Sequence, residues 1–358
     1  MLYKKIYRMM KSKQLIFARE YRGLTQKALS AAVNGLSQSN LSKYEKGIES
    51  LSDETVERIM LYLNFPMDFL NLNISNDVEN KHYRKRASIN AASRKQIDRT
   101  ISLIAYCFDW MSDNVELPDY TLGDYDLEQG ISPSEVARQI RRQCKLGTTP
   151  IKDLCTILEK NGVFIYFWDC PYEDFDGVSL ITDNGFHLII VNKNCSNDRI
   201  RWTIAHELGH SLMHENIALF VNEQRDKEKE ANEFAAEFLL PESETRRAFV
   251  NIKMSQLASY KSYWLTSMGA IVQRAKQLGG ITDEKYKLLR IEFSRNRWNK
   301  KEPIPVYLDK PTVFYKMYDL IVNNLYYNVE TMSKIMGIPV DVLDEIFARP
   351  KIVKLKIT

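Results

Sequence analysis

Two histidines four residues apart, His206 and His210, with Glu207 directly after the first, constrain this chain more than any other feature. On an α-helix, side chains at i and i+4 project from one face. The pair can therefore offer two imidazoles to a single cation, and zinc accepts imidazole nitrogen at about 2.0–2.1 Å. Glu207 is then the residue placed to take a proton from water activated at such an ion. The segment leading in, with Trp202, Ile204 and Ala205, is apolar and aromatic, as a buried helix requires. Gly209 is a poor helix former; inside the motif, its missing side chain could let another element approach closely.

A catalytic zinc site needs a third protein ligand and an open fourth position. His214 continues the series, but it lies about 12 Å along the axis from His206 at 1.5 Å per residue. No single ion on a straight helix reaches all three, so a structural or supporting role is expected for His214. The alternative of breaking the helix at a glycine three residues after the second histidine is closed, because Met213 stands there. The remaining candidates are carboxylates in the stretch Glu228–Glu237, where Ala231, Phe234, Ala235 and Phe238 form a packing face.

The chain has 358 residues, 44% hydrophobic and 27% charged, a balance that supports a packed core. There is no apolar run long enough to span a membrane and no secretory h-region, so no membrane association and a cytoplasmic location are expected. The five cysteines form no CxxC pair, which argues against a disulfide framework and a cysteine zinc site. The net charge of +4 is unevenly spread. Residues 1–100 carry 18 basic and 10 acidic side chains, and the remainder 32 and 36. The basic excess lies where a nucleic-acid contact would use it.

The pattern predicts an α+β chain, mostly α, in four parts: residues 1–75, 76–131, 132–244 and 245–358. Residues 12–71 are helical in short pieces punctuated by glycines. A longer helix is expected over Tyr83–Asp113, opened by Arg84, Lys85 and Arg86, then a linker over 114–131. Ser132, Pro133 and Glu135 mark a helix start with a capping box. Another helix is expected over Pro150–Lys160, a strand over Val163–Trp168, and a hairpin of Gly177–Ile181 and Phe186–Val191 around Asp183, Asn184 and Gly185 with a type I′ turn. Helix dominates from Asp198 onward.

The residues from His206 to His214, followed by Glu228–Pro241, resemble the ImmA/IrrE metallopeptidase family, whose second motif reads like E-x-E-A-N-x-F-A-A-E-L-L-M-P. Phe238 and Leu240 depart from it mildly. The resemblance implies a zincin-like peptidase domain with a small β-sheet, Glu228 as third zinc ligand with Glu230 as runner-up, and Asn232 as a supporting partner. Independently, Arg22–Leu29 and Leu36–Gly47 resemble the Cro/CI (XRE-type) helix-turn-helix, implying a five-helix DNA-binding domain. In that resemblance Thr25 and Ser37 cap the two helices of the motif, and Leu29, Leu41 and Tyr44 pack them together. Gln38, Ser39, Asn40 and Lys43 face the major groove, with Gln26 and Ser37 also at the DNA. Asn34 and Gly35 make the turn one residue longer than the commonest spacing. Residues 264–303 resemble the helical extension often attached to these peptidases, where a Tyr, Arg or His could stabilise an oxyanion.

Together these imply a zinc endopeptidase that cuts a specific partner, such as a repressor or a toxin–antitoxin or prophage regulator, and that binds operator DNA as a homodimer. The alternative is a repressor or antitoxin that uses its zinc domain for partner binding or sensing. The hairpin is the expected edge for aligning a substrate strand.

Overall fold

Helix caps set the N-terminal region. In the computed structural model, which describes residues 2–74, 90–215, 225–299 and 301–348, the chain opens with α1 (Leu2–Tyr21), α2 (Gln26–Ala32), α3 (Gln38–Glu45) and α4 (Asp53–Tyr62). Thr25, Ser37 and Ser52 accept from the N–H groups of Ala28, Asn40 and Thr55, satisfying donors that a helix start leaves open. Leu29, Leu41 and Tyr44 are buried between α2 and α3 as expected. Arg19 grips Glu45 through two bonds of 2.7 and 2.9 Å. α5 (Ala91–Ser112) adds to this unit through buried Glu20, which accepts from Lys95 and Arg99 at 2.7 Å each. The longer helix expected from Tyr83 is seen only from Ala91; residues 83–89 lie outside the described residues.

The second unit takes in the chain from Glu116 to Phe314. The stretch expected as a linker is packed rather than loose. Leu122 and Leu127 are buried in its core, and Tyr125 donates its N–H to the carbonyl of Leu212 at 2.8 Å. α6 (Pro133–Gln143) starts where the sequence placed it, capped by Ser132. Glu135 turns its carboxylate to Arg138 and Arg142 instead of closing the box. α7 (Leu154–Lys160) starts later than the expected Pro150. The guanidinium groups of buried Arg141 and Arg201 claim the carbonyls of Thr149 and Ile151, so those residues do not enter the helix.

β1 (Val163–Trp168), β2 (Gly177–Ile181) and β3 (His187–Asn192) form a sheet in the order β1-β3-β2, with β1 parallel and β2 antiparallel to β3. The hairpin is present without the type I′ turn. Of Asp183, Asn184 and Gly185, only Gly185 has positive φ, and it closes a three-residue loop by donating to Thr182 at 2.9 Å. That is the loop in which one left-handed residue follows a type I turn. Strand parity then decides what meets the next helix, α8 (Asn197–His210). Gly177, Ser179, His187 and Ile189 share one face. A Cβ at Gly177 would lie 2.6 Å from Thr203 on α8, Ser179 bonds Glu207 one turn further on, and His187 bonds Ser211 a turn beyond that at 2.7 Å.

α8 ends in a π-helical turn, Ser211–Glu215. It is covered by α9 (Lys227–Leu239), with the predicted face of Ala231, Phe234, Ala235 and Phe238 buried. The region from Glu242 is divided into α10 (Glu242–Ala248), α11 (Met254–Trp264), α12 (Met268–Gln277) and α13 (Asp283–Arg295). Asn251 and Leu265, both at positive φ, mark two of the breaks. The remaining helices are α14 (Val313–Asn324), α15 (Val329–Met336) and α16 (Val340–Ile346). From Tyr315 the chain belongs to the first unit, so residues 245–358 are not one extension. There Asp341 pairs with Arg22 at 2.7 Å, and Tyr106 donates to the carbonyl of Met336. No helix among the described residues is long and apolar enough to cross a membrane.

Gly162 tests how firmly the segment before α6 is seated. Its φ is +77° and a Cβ there would lie 2.5 Å from the backbone of Tyr120, whereas Gly123 at +75° has nothing within 4 Å. Gly123→Ala should cost only the left-handed backbone term of about 1–2 kcal/mol. Gly162→Ala should cost clearly more, about 3 kcal/mol or above, since main chain must move. Chemical denaturation of both variants checks the ordering.

Candidate metal centre

α8 places both histidines on its α9-facing side, and glycine makes the approach possible. A Cβ at Gly209 would meet Phe234 at 3.1 Å and the Cα of Ala231 at 3.3 Å, so a larger residue would push α9 away. His206 and His210 are buried at 5% and 1% exposure, and Glu228 enters from the first turn of α9 with about half its side chain open to solvent. Asp226 caps that turn by accepting from Lys229. The acidic Glu228 and Glu230 suit a helix N-terminus.

The three side chains converge. The Nε2 atoms of His206 and His210 are 3.1 Å apart, and each is 3.5 Å from a carboxylate oxygen of Glu228. A tetrahedral ion with bonds of 2.0–2.1 Å holds its ligands about 3.3 Å from one another. His206, His210 and Glu228 therefore fit one face of such a polyhedron, with the exposed side of Glu228 leaving an open position. Among the described residues this is the His, Cys, Asp and Glu group that clusters closely enough to hold a metal.

Glu230, the other acidic candidate, is engaged elsewhere. Its carboxylate accepts from His214 at 2.9 Å and from Arg225 at 2.8 Å. His214 in turn faces His210, Nδ1 to Nδ1, at 2.9 Å. Asn232 donates to the main-chain carbonyl of Glu228 at 2.7 Å, steadying the turn that carries that carboxylate.

Glu207 sits on the sheet side of α8. One of its oxygens accepts from both the N–H and the hydroxyl of Ser179, at 2.9 and 3.2 Å. Burial drives its carboxyl well above the usual range, reinforced by the charges of Glu215 and Glu228 and opposed by Ser179. A divalent cation held by His206, His210 and Glu228 would counteract that push. Burial also moves His210 down to about 4, against the pull of Glu228, which keeps the imidazole neutral as a metal ligand must be. Glu228 is held well below the carboxylate range by its contacts with His206 and His210, which outweigh burial.

Sequence reasoning missed Ser179, Glu215 and His187. The lone hydroxyl in the apolar run Gly177–Ile181 is a signal for the first, since a buried polar side chain needs a partner. A cleft of about 980 Å³ in the same unit has Trp202 and Asn232 in its wall. Each lies four residues from a member of the converging group, His206 and Glu228 respectively, and so on the same helical face. Arg199, Tyr286, Arg290 and Trp298 line it further out.

In the first unit, Gln38, Ser39 and Asn40 are exposed at the start of α3. The Ser37 hydroxyl is used in the cap, Lys43 pairs with Glu49 at 2.8 Å, and Gln26 donates to Glu45 at 2.7 Å.

Residues 159–276 match a peptidase family described as the IrrE N-terminal-like domain, and residues 15–70 match a family described as helix-turn-helix. No curated protein matches the chain.

Among the described residues the carboxylate of Glu215 meets no hydrogen-bond geometry, although the hydroxyls of Ser179 and Ser211 approach it; burial moves it up to about 7. A carboxyl whose folded value is raised stabilises the fold below its unfolded value near 4.5 and loses that contribution as pH climbs to about 7. The metal-free chain should therefore lose about 3 kcal/mol between pH 4.5 and 7 from this group. Glu215→Gln should flatten that part of the profile and melt higher than the parent at pH 8. The difference between the two melting curves across pH isolates the effect from His210, whose contribution has the opposite slope.

Proposed function

We propose, on the helix-turn-helix match over residues 15–70 and the IrrE N-terminal-like peptidase match over 159–276, that this is a DNA-associated, zinc-dependent regulatory endopeptidase. The observation that carries this reading is the convergence of His206, His210 and Glu228 beside Glu207. Two imidazoles and one carboxylate form a donor set suited to zinc. A zinc ion there supplies Lewis acidity, polarising a carbonyl and lowering the pKa of water. Glu207 takes the proton of the attacking water and returns it to the leaving amine. Ser179 fixes Glu207 for that transfer from β2, an edge strand of the sheet. A substrate added along that edge in extended form brings its main chain past Glu207. The cleft beyond Trp202 and Asn232 receives the chain on one side of the cut.

The expected target is a specific partner such as a repressor or a toxin–antitoxin or prophage regulator, and the expected form a homodimer, since single modules of this kind read paired half-sites. Zinc-loaded parent chain expressed in cells should generate new protein N-termini that disappear with Glu207→Gln, while that variant still binds zinc. Identical N-termini in both samples would overturn the assignment of Glu207.

The exposed Gln38, Ser39 and Asn40 on a capped α3 favour a second reading, a repressor or antitoxin that uses the zinc domain without cutting. Asparagine and glutamine can pair with adenine in the major groove. A footprint lost in a Gln38→Ala, Asn40→Ala double variant, in cells with no parent-dependent N-termini, would decide for that reading.

A further inference from the structure

The two histidines of the metal centre are supported unequally. His206 has its Nδ1 buried with no hydrogen-bond partner among the described residues. His210 has its Nδ1 2.9 Å from Nδ1 of His214, whose Nε2 is 2.9 Å from Glu230, which is 2.8 Å from Nε of Arg225. One proton arrangement satisfies this series when Nε2 of His210 faces the metal. Nδ1 of His210 then carries the proton and donates to an unprotonated Nδ1 of His214. The proton of His214 sits on Nε2 and goes to Glu230, whose charge Arg225 balances. His214 is 5% exposed and the side chain of Glu230 16%, so the relay runs through a water-poor region where hydrogen bonds are stronger.

We infer that His214 and Glu230 are positioning residues that lock the ring and tautomer of His210 toward the metal, and so set the affinity of the site. This rests on the metal centre proposed above. The π-helical turn Ser211–Glu215 and the first turn of α9 each supply one member of the relay. Glu230 therefore supports the site through His214 instead of ligating, and Glu228 and Glu230, two residues apart, divide the ligand and support roles between them.

Zinc affinity of the full-length chain, measured by competition with a chromophoric chelator, tests this together with the melting temperature of the metal-free form. His214→Leu and Glu230→Ala should each weaken zinc binding roughly 10- to 100-fold. Glu230→Gln keeps an acceptor for His214 and should recover most of that loss. Affinities of the broken-relay variants within twofold of the parent overturn the inference. So does a loss that tracks a fall in metal-free melting temperature and is not recovered by Glu230→Gln, because the tie is then structural. Glu228→Gln separates the two levels of the argument. A parent that takes up no zinc, or a Glu228→Gln variant that binds it equally well, overturns the metal centre itself, whereas a zinc-binding parent weakened by Glu228→Gln but not by the relay variants overturns the relay alone.

Discussion

A helix buried on both sides holds two members of the candidate metal centre, and its polar residues must find partners inside the fold. His206, Glu207 and His210 are all at most 5% exposed. A buried polar group without a partner costs about 1–3 kcal/mol, and a charged one more. α8 meets that demand by assigning each face a different neighbour. The strip of Thr203, Glu207 and Ser211 turns to the sheet, where Gly177, Ser179 and His187 receive it. The strip of His206 and His210 turns to α9, where Glu228 receives it.

This division separates two tasks that chemistry needs close together but not merged. Glu207 is held on the sheet side by the N–H and hydroxyl of Ser179, so its orientation depends on strand register. A slip of one residue would turn Ser179 to the opposite face. His206 and His210 turn to the α9 side, where their distance from Glu228 depends on how near α9 can come. Gly209 sets that distance, since the Cβ it lacks would meet Phe234 and Ala231. Both arrangements leave the helix itself regular until the π-helical turn after His210.

That turn accounts for the role of His214. On a straight helix it continues the histidine series but cannot join one ion with His206. In the structure it bonds the far side of His210 and passes the contact to Glu230. The two acidic residues that open α9 thus lie at different depths, Glu228 against the His206 and His210 pair and Glu230 behind it against His214.

The sequence by itself determined the local elements and the chemistry they carry: the helix caps at Thr25, Ser37 and Ser132, β1 and the hairpin strands nearly to the residue, and a histidine pair whose helical spacing implies a shared cation. These follow from short-range rules, in which a few neighbouring residues fix backbone geometry. Only the tertiary structure decided which carboxylate of α9 faces the histidines, that Ser179 holds Glu207, that residues 116–131 pack into the peptidase-like unit, and that the chain from Tyr315 belongs with the N-terminal helices. Those outcomes depend on which faces meet across long sequence separations. Residues two apart on a helix point about 200° apart, so Glu228 and Glu230, chemically alike and ranked in the sequence only by a family resemblance, are separated physically by what packs against each side.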